Sequence, residues 1–248
     1  MATENLKRED GETIAYLKQE GEGPGVAWLG GLKSDMMGTK AEALAVWAQR
    51  RGRAYLRFDY FGHGRSSGDF REGTISRWRD DSLEVLDKLC PGPQILLGSS
   101  MGGWIALLTA LARPDKIKGL LLLAPAPDFT EALIWAEMGD RVRRQILETG
   151  EWVRPSDYGE EPYPITRNLI EDGRKNLVLG GALNISCPVR IIQGMKDPDV
   201  PWQHAMKLLE CIEGGPTITL VKNGDHRLST DEDLARMQNA LEALICEI

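Results

Sequence analysis

The stretch GSSMGG at residues 98–103 carries a G-x-S-x-G pattern centred on Ser100. The run PQILLG (93–98) before it is short and apolar, as in a buried strand. The run MGGWIALLTALA (101–112) after it is long and almost wholly apolar, as in a buried helix. A serine between a strand and a helix in this way lies on a sharp turn, with its hydroxyl exposed above the edge of a sheet. Ser100, rather than the neighbouring Ser99, is therefore the predicted nucleophile.

The alternation of strand and helix continues on both sides of this turn. Apolar runs typical of buried strands occur at GVAWLGG (25–31), AYLRFD (54–59), IKGLLLLAPAP (117–127), CPVRIIQG (187–194) and TITLVK (217–222). Helical patterns separate these runs, and a final one covers residues 231–248. Near-continuous apolar strands that alternate with helices are typical of a mostly parallel sheet with helices on both faces. We therefore predict an α/β fold.

Residues 128–185 interrupt this alternation. A helical pattern covers residues 129–147, a connection rich in Pro, Gly and Tyr follows it, and no strand-like run separates them. The sequence therefore predicts an α/β core formed by residues 1–127 and 186–248, with residues 128–185 inserted late in the sheet as a helical lid. Ligands of open α/β sheets bind outside the carboxyl ends of the strands, so such a lid would cover the predicted nucleophile.

The overall composition narrows the partners and the compartment. A formal net charge of -7 over 248 residues argues against a nucleic-acid partner, because binding a phosphate backbone needs clustered Lys and Arg. The four widely spaced cysteines do not have the spacing of a metal site, so we expect free thiols in a reducing compartment, with neither metal nor cofactor. The acidic N-terminus is unlike a signal peptide, and no apolar run approaches the ~20 residues of a membrane span. These features favour a cytoplasmic protein, or a mitochondrial matrix protein if a leader has been removed.

A serine hydroxyl needs a base to remove its proton, and the chain contains three histidines. His63 lies in the glycine-rich stretch FDYFGHGRSSGD, which suits a structural role, and His204 lies early in a helix, where we expect it at the surface. His226 follows the last predicted strand in the stretch LVKNGDH. The base that acts on such a serine comes late in the chain, after the acid, on a loop at the carboxyl edge of the sheet. His226 is therefore the predicted base.

The acid that orients the base is expected between the serine and His226, at the end of the penultimate strand. The stretch IIQGMKDPDVPW (191–202) offers Asp197 and Asp199. Asp197 follows the strand after a short turn, whereas Asp199 lies nearer the next helix, whose N-terminus favours an acidic side chain. We favour Asp197, which would hold the tautomer of His226, and Asp199 is the alternative.

Two backbone N–H groups are expected to stabilise the negative charge that develops on the substrate during attack. Met101 begins the helix after Ser100, where N–H groups have no partner within the helix. The second donor is expected in the loop WLGGLKSDMMGTK (28–40), which follows the first central strand. Leu32, directly after the glycine pair in this loop, is the predicted residue.

Longer stretches around these residues resemble loops of a known protein family. FDYFGHGRSSGD resembles the D-x-x-G-x-G-x-S turn of the α/β-hydrolase family, and QGMKDPDVPW and NGDHR resemble its acid and base loops. Within that family the chain is similar to mitochondrial hydrolases described as acyl-glucuronide esterases and palmitoyl-protein thioesterases, through stretches such as GPQILLGSSMGGW and CPVRIIQGMKD. The resemblance implies the same nucleophile, acid and base. The chain differs from the family at Gly30: it has Gly30-Gly31 before Leu32, where many members have His-Gly before the oxyanion residue.

These observations predict a serine hydrolase of carboxylic esters or thioesters that forms an acyl-enzyme on small-molecule or acyl-protein substrates. A small serine peptidase or amidase and a hydrolase-fold receptor without catalysis are the alternatives. Within the insertion, Trp135, Met138 and Trp152 are the candidates to line an acyl-chain groove over Ser100. Other residues of this segment with the same character are Phe129, Leu133, Tyr158 and Tyr163. The oligomeric state is not indicated by the sequence.

Overall fold

The computed structural model describes residues 2–154 and 162–248, and in this part of the chain eight strands form one mixed sheet. In chain order the strands are β1 (Glu4–Lys7), β2 (Thr13–Gln19), β3 (Glu22–Leu29), β4 (Arg53–Phe58), β5 (Gln94–Ser99), β6 (Ile117–Leu123), β7 (Glu151–Arg154), β8 (Tyr163–Thr166), β9 (Val189–Gly194) and β10 (Thr217–Val221). The helices are α1 (Thr39–Arg51), α2 (Ile75–Leu89), α3 (Met101–Ala112), α4 (Asp140–Thr149), α5 (Arg167–Gly173), α6 (Trp202–Cys211) and α7 (Asp231–Ile245). Among these helices, none combines the length and the apolar character that a membrane span requires.

The large sheet is parallel over most of its width. Its strand order is β1-β2-β4-β3-β5-β6-β9-β10, and every neighbouring pair from β4 to β10 is parallel. The carboxyl ends of these six strands therefore meet at one edge of the sheet. The order reverses at β3, because β4 lies on one side of it and β5 on the other. The predicted α/β fold with a mostly parallel sheet is confirmed.

Both faces of the sheet are covered by helices. On β5, Ile95 and Leu97 belong to the same buried cluster as the inner side chains of α1 and α7, whereas Leu96 belongs to the cluster that contains α3. Because successive side chains of a strand point to opposite faces, a strand covered on both faces needs apolar residues at every position. This explains why the strand runs of the sequence are continuous rather than alternating.

Two N-terminal strands, β1 and β2, were not predicted. They form an antiparallel hairpin whose turn contains Asp10 and Gly11, with Gly11 at φ 91°. An Asp-Gly pair between two short runs is a hairpin signal, because glycine adopts a positive φ without a steric cost. β2 then pairs antiparallel with β4 and extends the sheet beyond its parallel part.

The insertion differs from the predicted helical lid in its helices. The helix predicted over residues 129–147 is divided into a π-helical segment, Thr130–Trp135, and α4, which begins at Asp140. Gly139 between them has an extended backbone with ψ 154°. Glycine loses little by leaving the helical conformation, so the helix ends there.

The insertion also contains β-structure, contrary to the prediction that its helices and connection include no strand. β7 and β8 pair antiparallel, with Glu151 opposite Thr166 and Arg154 opposite Tyr163. Each strand has only four residues, which is too short for a strand pattern to stand out from the surrounding loop. Residues 155–161 between the two strands, including Tyr158, lie outside the described residues.

Asp128 joins the two ends of the insertion. Its buried carboxylate accepts hydrogen bonds from the backbone N–H groups of Val178 (2.8 Å) and Leu179 (2.9 Å). Asp128 itself has φ 56°, in the left-handed region where a residue with a side chain is strained. A buried N–H group without an acceptor is costly, so this carboxylate stabilises the attachment of the insertion to the core.

Replacing Asp128 with Ala should lower the free energy of unfolding by about 2–6 kcal/mol, because it leaves two N–H groups without an acceptor and each costs roughly 1–3 kcal/mol. Urea denaturation followed by tryptophan fluorescence measures this change. The control is Asp115→Ala, which removes an exposed carboxylate and should change the free energy of unfolding by less than about 0.5 kcal/mol. Equal stability of the two variants would contradict the role of Asp128.

Candidate active site

Ser100 occupies the sharp turn between β5 and α3. Its φ of 54° and ψ of -120° lie outside the regions that residues with side chains usually adopt, so the surrounding structure has to hold them. The turn is tight, since a Cβ at Gly98 would lie 2.3 Å from the Gly102 carbonyl oxygen. A Cβ at Gly102 would lie 2.1 Å from the Leu29 carbonyl oxygen. Only glycine fits at these two positions.

The structure brings Ser100, Asp197 and His226 together from three loops that follow parallel strands. His226 Nε2 is 3.0 Å from Ser100 Oγ, and His226 Nδ1 is 2.7 Å from Asp197 Oδ2. Because Nδ1–H donates to the carboxylate, the lone pair of Nε2 can accept the hydroxyl proton of Ser100. This is the serine–imidazole–carboxylate arrangement that can activate a hydroxyl as a nucleophile.

The carboxylate of Asp197 is held at both oxygens. Oδ1 accepts the backbone N–H groups of Asp199 (2.9 Å) and Val200 (2.8 Å), and Oδ2 also accepts from Gln193 Nε2 (3.1 Å). The side chain of Asp197 is 0% exposed, whereas that of His226 is 18% exposed and lines a cavity. These hydrogen bonds fix the carboxylate in the orientation that faces His226.

Asp199, the alternative acid, is oriented differently. Its backbone N–H supports Asp197, and its carboxylate lies 3.7 Å from the Arg154 guanidinium. Three possible metal-ligand atoms, one from each of Asp197, Asp199 and His226, lie within 4.8 Å of one another, which is a spacing that could hold a metal ion. In this structure, the contact that orients His226 Nδ1 is made by Asp197.

Met101 and Leu32, the predicted oxyanion donors, belong to two segments that meet at Ser100. Met101 is the first residue of α3, where an N–H group has no acceptor within the helix. The loop that carries Leu32 passes against the serine, because a Cβ at Gly31 would lie 3.4 Å from Ser100 Cβ. Met101, Leu32 and Ser100 line the same cavity. Met101 and Leu32 remain the predicted donors to an oxyanion that forms next to Ser100 Oγ.

The cavity above Ser100 has a volume of about 500 Å³ and contains apolar and charged residues. The apolar ones include Met101, Phe129, Leu133, Ile134, Tyr163 and Val200, and the charged ones include Lys33, Asp35, Lys40, Glu137, Arg154 and Arg227. This volume is in the range of small-molecule sites, which are mostly apolar with a few polar groups that fix the orientation of a ligand. The cavity also lies where the strand order reverses, which is where open α/β sheets bind ligands.

The predicted lining residues Trp135, Met138 and Trp152 are placed elsewhere. Within the described part of the chain, they pack against the main core cluster and are not among the residues that line the cavity. Two guanidinium groups, those of Arg143 and Arg174, approach the Trp135 ring, with their central carbons 5.7 Å and 4.9 Å from the ring centroid. These cation–π contacts stabilise the indole in its position on the core.

The insertion contributes other residues to the cavity. Phe129 and Leu133, noted in the sequence for their apolar character, line it together with Ile134 and Tyr163. Apolar character alone does not distinguish a side chain that faces the cavity from one that packs on the core, which is why the candidates were divided in this way.

His204 is buried rather than at the surface, so this expectation is wrong. Its Nε2 atom is 2.6 Å from the Pro127 carbonyl oxygen, which places the first turn of α6 against the base of the insertion. Burial lowers the pKa of His204. The sequence showed only a polar residue early in a helix, and the segment that covers it comes from a distant part of the chain.

Two residues of the site were missed in the sequence. Gln193, which donates to Asp197, is the polar residue at the end of the apolar run CPVRIIQG, and a buried polar residue there signals a hydrogen-bonding role. Arg154, which approaches Asp199, belongs to β7, and that strand was not predicted.

Comparisons with known proteins find relatives along almost the whole chain. The Alpha/beta hydrolase family profile matches residues 25–237. The chain is 36% identical to the mitochondrial palmitoyl-protein thioesterase ABHD10 of Homo sapiens, over 97% of this chain and 79% of the relative. A putative hydrolase from Agrobacterium vitis S4 has a TM-score of 0.94 and 46% identity, covering 98% of both chains. Alpha/beta hydrolase domain-containing protein 10 from mouse has a TM-score of 0.92 and 34% identity, covering 100% of this chain and 99% of that one.

The family match includes the loops that carry Ser100, Asp197 and His226, and the two structural matches cover nearly all of the core and the insertion. The fold, the serine turn and the similar proteins all point to the same family. The chain belongs to the alpha/beta hydrolase family.

Proposed function

We propose that the protein is a serine hydrolase of carboxylic esters or thioesters, with Ser100 as the nucleophile, His226 as the base and Asp197 as the acid that orients it. The observation that carries this proposal is the continuous hydrogen-bonded path from Ser100 Oγ through the imidazole of His226 to the Asp197 carboxylate. Relatives named palmitoyl-protein thioesterase support an acyl ester or thioester as the bond that is cleaved.

In the first half of the proposed reaction, Ser100 Oγ attacks the acyl carbon while His226 Nε2 takes the hydroxyl proton. The carbonyl oxygen becomes an oxyanion and accepts the N–H groups of Met101 and Leu32. Losing one such donor typically costs about 2.7–4 kcal/mol of transition-state stabilisation. Asp197 stabilises the imidazolium that forms, and it holds Nδ1 protonated throughout.

In the second half, the tetrahedral intermediate collapses and the leaving alcohol or thiol receives the proton from His226. The acyl group stays bound to Ser100 as an ester. His226 then removes a proton from a water molecule, which attacks the acyl carbon and forms a second tetrahedral intermediate. The bond between Ser100 Oγ and the acyl carbon breaks, His226 returns the proton to Oγ, and the carboxylic acid is released. The same N–H groups stabilise both oxyanions, so the reaction needs no group outside this chain beyond water and the substrate.

The cavity lining supports acyl substrates whose leaving group is polar. Phe129, Leu133 and Ile134 offer apolar surface for an acyl chain, and the charged residues at the cavity suit a hydrated sugar, small thiol or protein segment. We therefore propose small-molecule or acyl-protein substrates and assign residues 128–185 the role of the lid. A receptor without catalysis is less well supported, because His226 contacts both Ser100 and Asp197 at hydrogen-bonding distance.

The names of the thioesterase relatives favour the mitochondrial alternative over the cytoplasmic location that composition suggested. The four cysteines of the chain are free, which suits a reducing compartment of that kind.

Ser100→Ala should lower kcat for p-nitrophenyl acyl esters and acyl thioesters by about 10⁴-fold or more, because it removes the nucleophile of a relay whose members act as a unit. Ser99→Ala is the matched control and should retain turnover, because its hydroxyl is outside the relay. Circular dichroism establishes that both variants are folded. Turnover by Ser100→Ala at the rate of the unaltered protein would refute the proposed function.

Asp197→Asn should lower kcat by up to about 10⁴-fold, because an amide in place of the carboxylate leaves His226 in the wrong tautomer. Asp199→Asn makes the same chemical change two residues away and should keep most of the activity. Steady-state hydrolysis of one ester by both variants measures the difference. A larger loss in Asp199→Asn would assign the acid to that residue instead.

Leu133→Trp should reduce kcat/KM for long acyl chains more than for short ones, because the added volume lies in the cavity. Leu147→Trp places the same side chain on α4, where Leu147 is 49% exposed, and should leave the chain-length profile unchanged. A series of p-nitrophenyl esters from acetate to palmitate gives the profile. Parallel profiles for the two variants would exclude Leu133 from the acyl site.

A further inference from the structure

The loop that carries Leu32 is held by contacts that lie outside the catalytic relay. Lys33 has φ 60°, in the left-handed region where a residue with a side chain is strained, so neighbouring groups must maintain it. The Ser34 hydroxyl donates to the Gly31 carbonyl oxygen (2.7 Å), and the Met36 N–H donates to Asp59 (2.6 Å). Between these two bonds, the Lys33 N–H donates to Nε2 of His63 at 3.1 Å.

The tautomer of His63 is set by its other nitrogen. Nδ1 is 3.1 Å from the Phe61 carbonyl oxygen, which can only accept, so the proton of the neutral ring is on Nδ1 and Nε2 is an acceptor. Burial lowers the pKa of His63 to about 4, so the ring is neutral near neutral pH. A protonated imidazole has no acceptor to offer to Lys33.

Aromatic side chains prevent the His63 ring from turning. Tyr60, Phe70 and Trp78 pack against it edge to face, with ring centroids 5.7, 5.1 and 5.2 Å away. The Lys33 ammonium lies 4.9 Å from the centroid of the Phe70 ring, which holds the Lys33 side chain on the same cluster. The His63 ring is therefore held with its Nε2 facing the loop that carries Leu32 and Lys33.

Fixing the Lys33 N–H fixes the peptide plane that joins Leu32 to Lys33, because the peptide bond is rigid. The Leu32 N–H, the proposed oxyanion donor, belongs to the preceding plane, between Gly31 and Leu32, whose carbonyl oxygen accepts the Ser34 hydroxyl. With both planes held, the backbone of Leu32 between them is fixed, and so is the direction of its N–H. We propose that His63 is a positioning residue of the hydrolase reaction, which holds the Leu32 N–H toward the oxyanion by accepting the Lys33 N–H. This inference rests on the proposed function, since it concerns the oxyanion donors of that mechanism.

His63 acts through the loop and not on the substrate. Its Nε2 is engaged by Lys33 and its Nδ1 by Phe61, so neither nitrogen is available to serve as a second base. An oxyanion donor contributes only when negative charge develops on the substrate oxygen, so its misplacement should lower kcat and leave substrate binding almost unchanged.

Two substitutions separate the acceptor from the shape of the ring. His63→Gln keeps an acceptor, because its amide oxygen is the same number of bonds from Cα as Nε2, whereas His63→Phe keeps a ring and removes the acceptor. We expect kcat of His63→Phe to fall by about 10- to 100-fold, less than the roughly 100- to 1000-fold that outright loss of one oxyanion donor costs, because the Leu32 N–H is misplaced and not removed. KM should stay nearly constant, and His63→Gln should recover most of the loss.

A trifluoromethyl ketone inhibitor gives a readout that a purely structural role would not move. It adds to the serine as an oxyanionic hemiketal, so its Ki should rise in His63→Phe by the same factor as kcat falls. Trp47→Phe is the control, because it shortens a buried tryptophan of the other core cluster, whose Nε1 donates to Glu242 (3.0 Å) and which is not among the rings packed on His63. Equal losses in His63→Phe and Trp47→Phe, or a rise in KM alone, would overturn the proposal.

If His63→Phe does not fold, NMR measurements on the unaltered protein test the proposal. Its ¹⁵N spectrum should show His63 with a proton on Nδ1 and none on Nε2, and the Lys33 amide should be protected from hydrogen exchange. A proton on Nε2 or rapid exchange at Lys33 would overturn the proposal. Absence of hydrolysis by the unaltered protein would instead refute the proposed function, so the two failures are distinguishable.

Discussion

The close contact between α3 and β3 at Gly102 is the constraint on which the site depends. A side chain at this position would overlap the Leu29 carbonyl oxygen, at 2.1 Å, so the contact requires glycine. It brings the start of one helix against the end of one strand. As a result Ser100, the Met101 amide and the loop that carries Leu32 meet at a single point, where the strand order also reverses.

Two histidines near this point show how burial assigns different roles to one residue type. His226 is partly exposed to the cavity and is hydrogen-bonded to a buried carboxylate, so a proton gained at Nε2 is compensated by negative charge. His63 is buried among aromatic rings, and a carbonyl oxygen fixes its tautomer, so it is suited to accept a hydrogen bond and remain neutral. In this account, the first moves protons and the second maintains geometry.

The sequence was sufficient to predict the parallel part of the sheet, though not the N-terminal hairpin of β1 and β2. It was also sufficient to single out Ser100, Asp197 and His226, because the order of strands and helices places their loops at one edge. It was not sufficient for the insertion. There the structure depends on contacts between distant segments, such as Asp128 with Val178 and Trp135 with Arg174, which no local pattern reveals. For the same reason Trp135 was wrongly expected to line the cavity, and His204, which lies against Pro127, was wrongly expected at the surface.

The most direct test of the account is to trap the acyl-enzyme. Turnover of a p-nitrophenyl acyl ester is quenched with acid within the first cycles, and the digested protein is analysed by mass spectrometry. The account predicts an initial burst of p-nitrophenol close to one equivalent per chain, with the acyl group on Ser100 in the peptide that contains GSSMGG. An acyl group on any other residue, or turnover with neither a burst nor a covalent adduct, would contradict it.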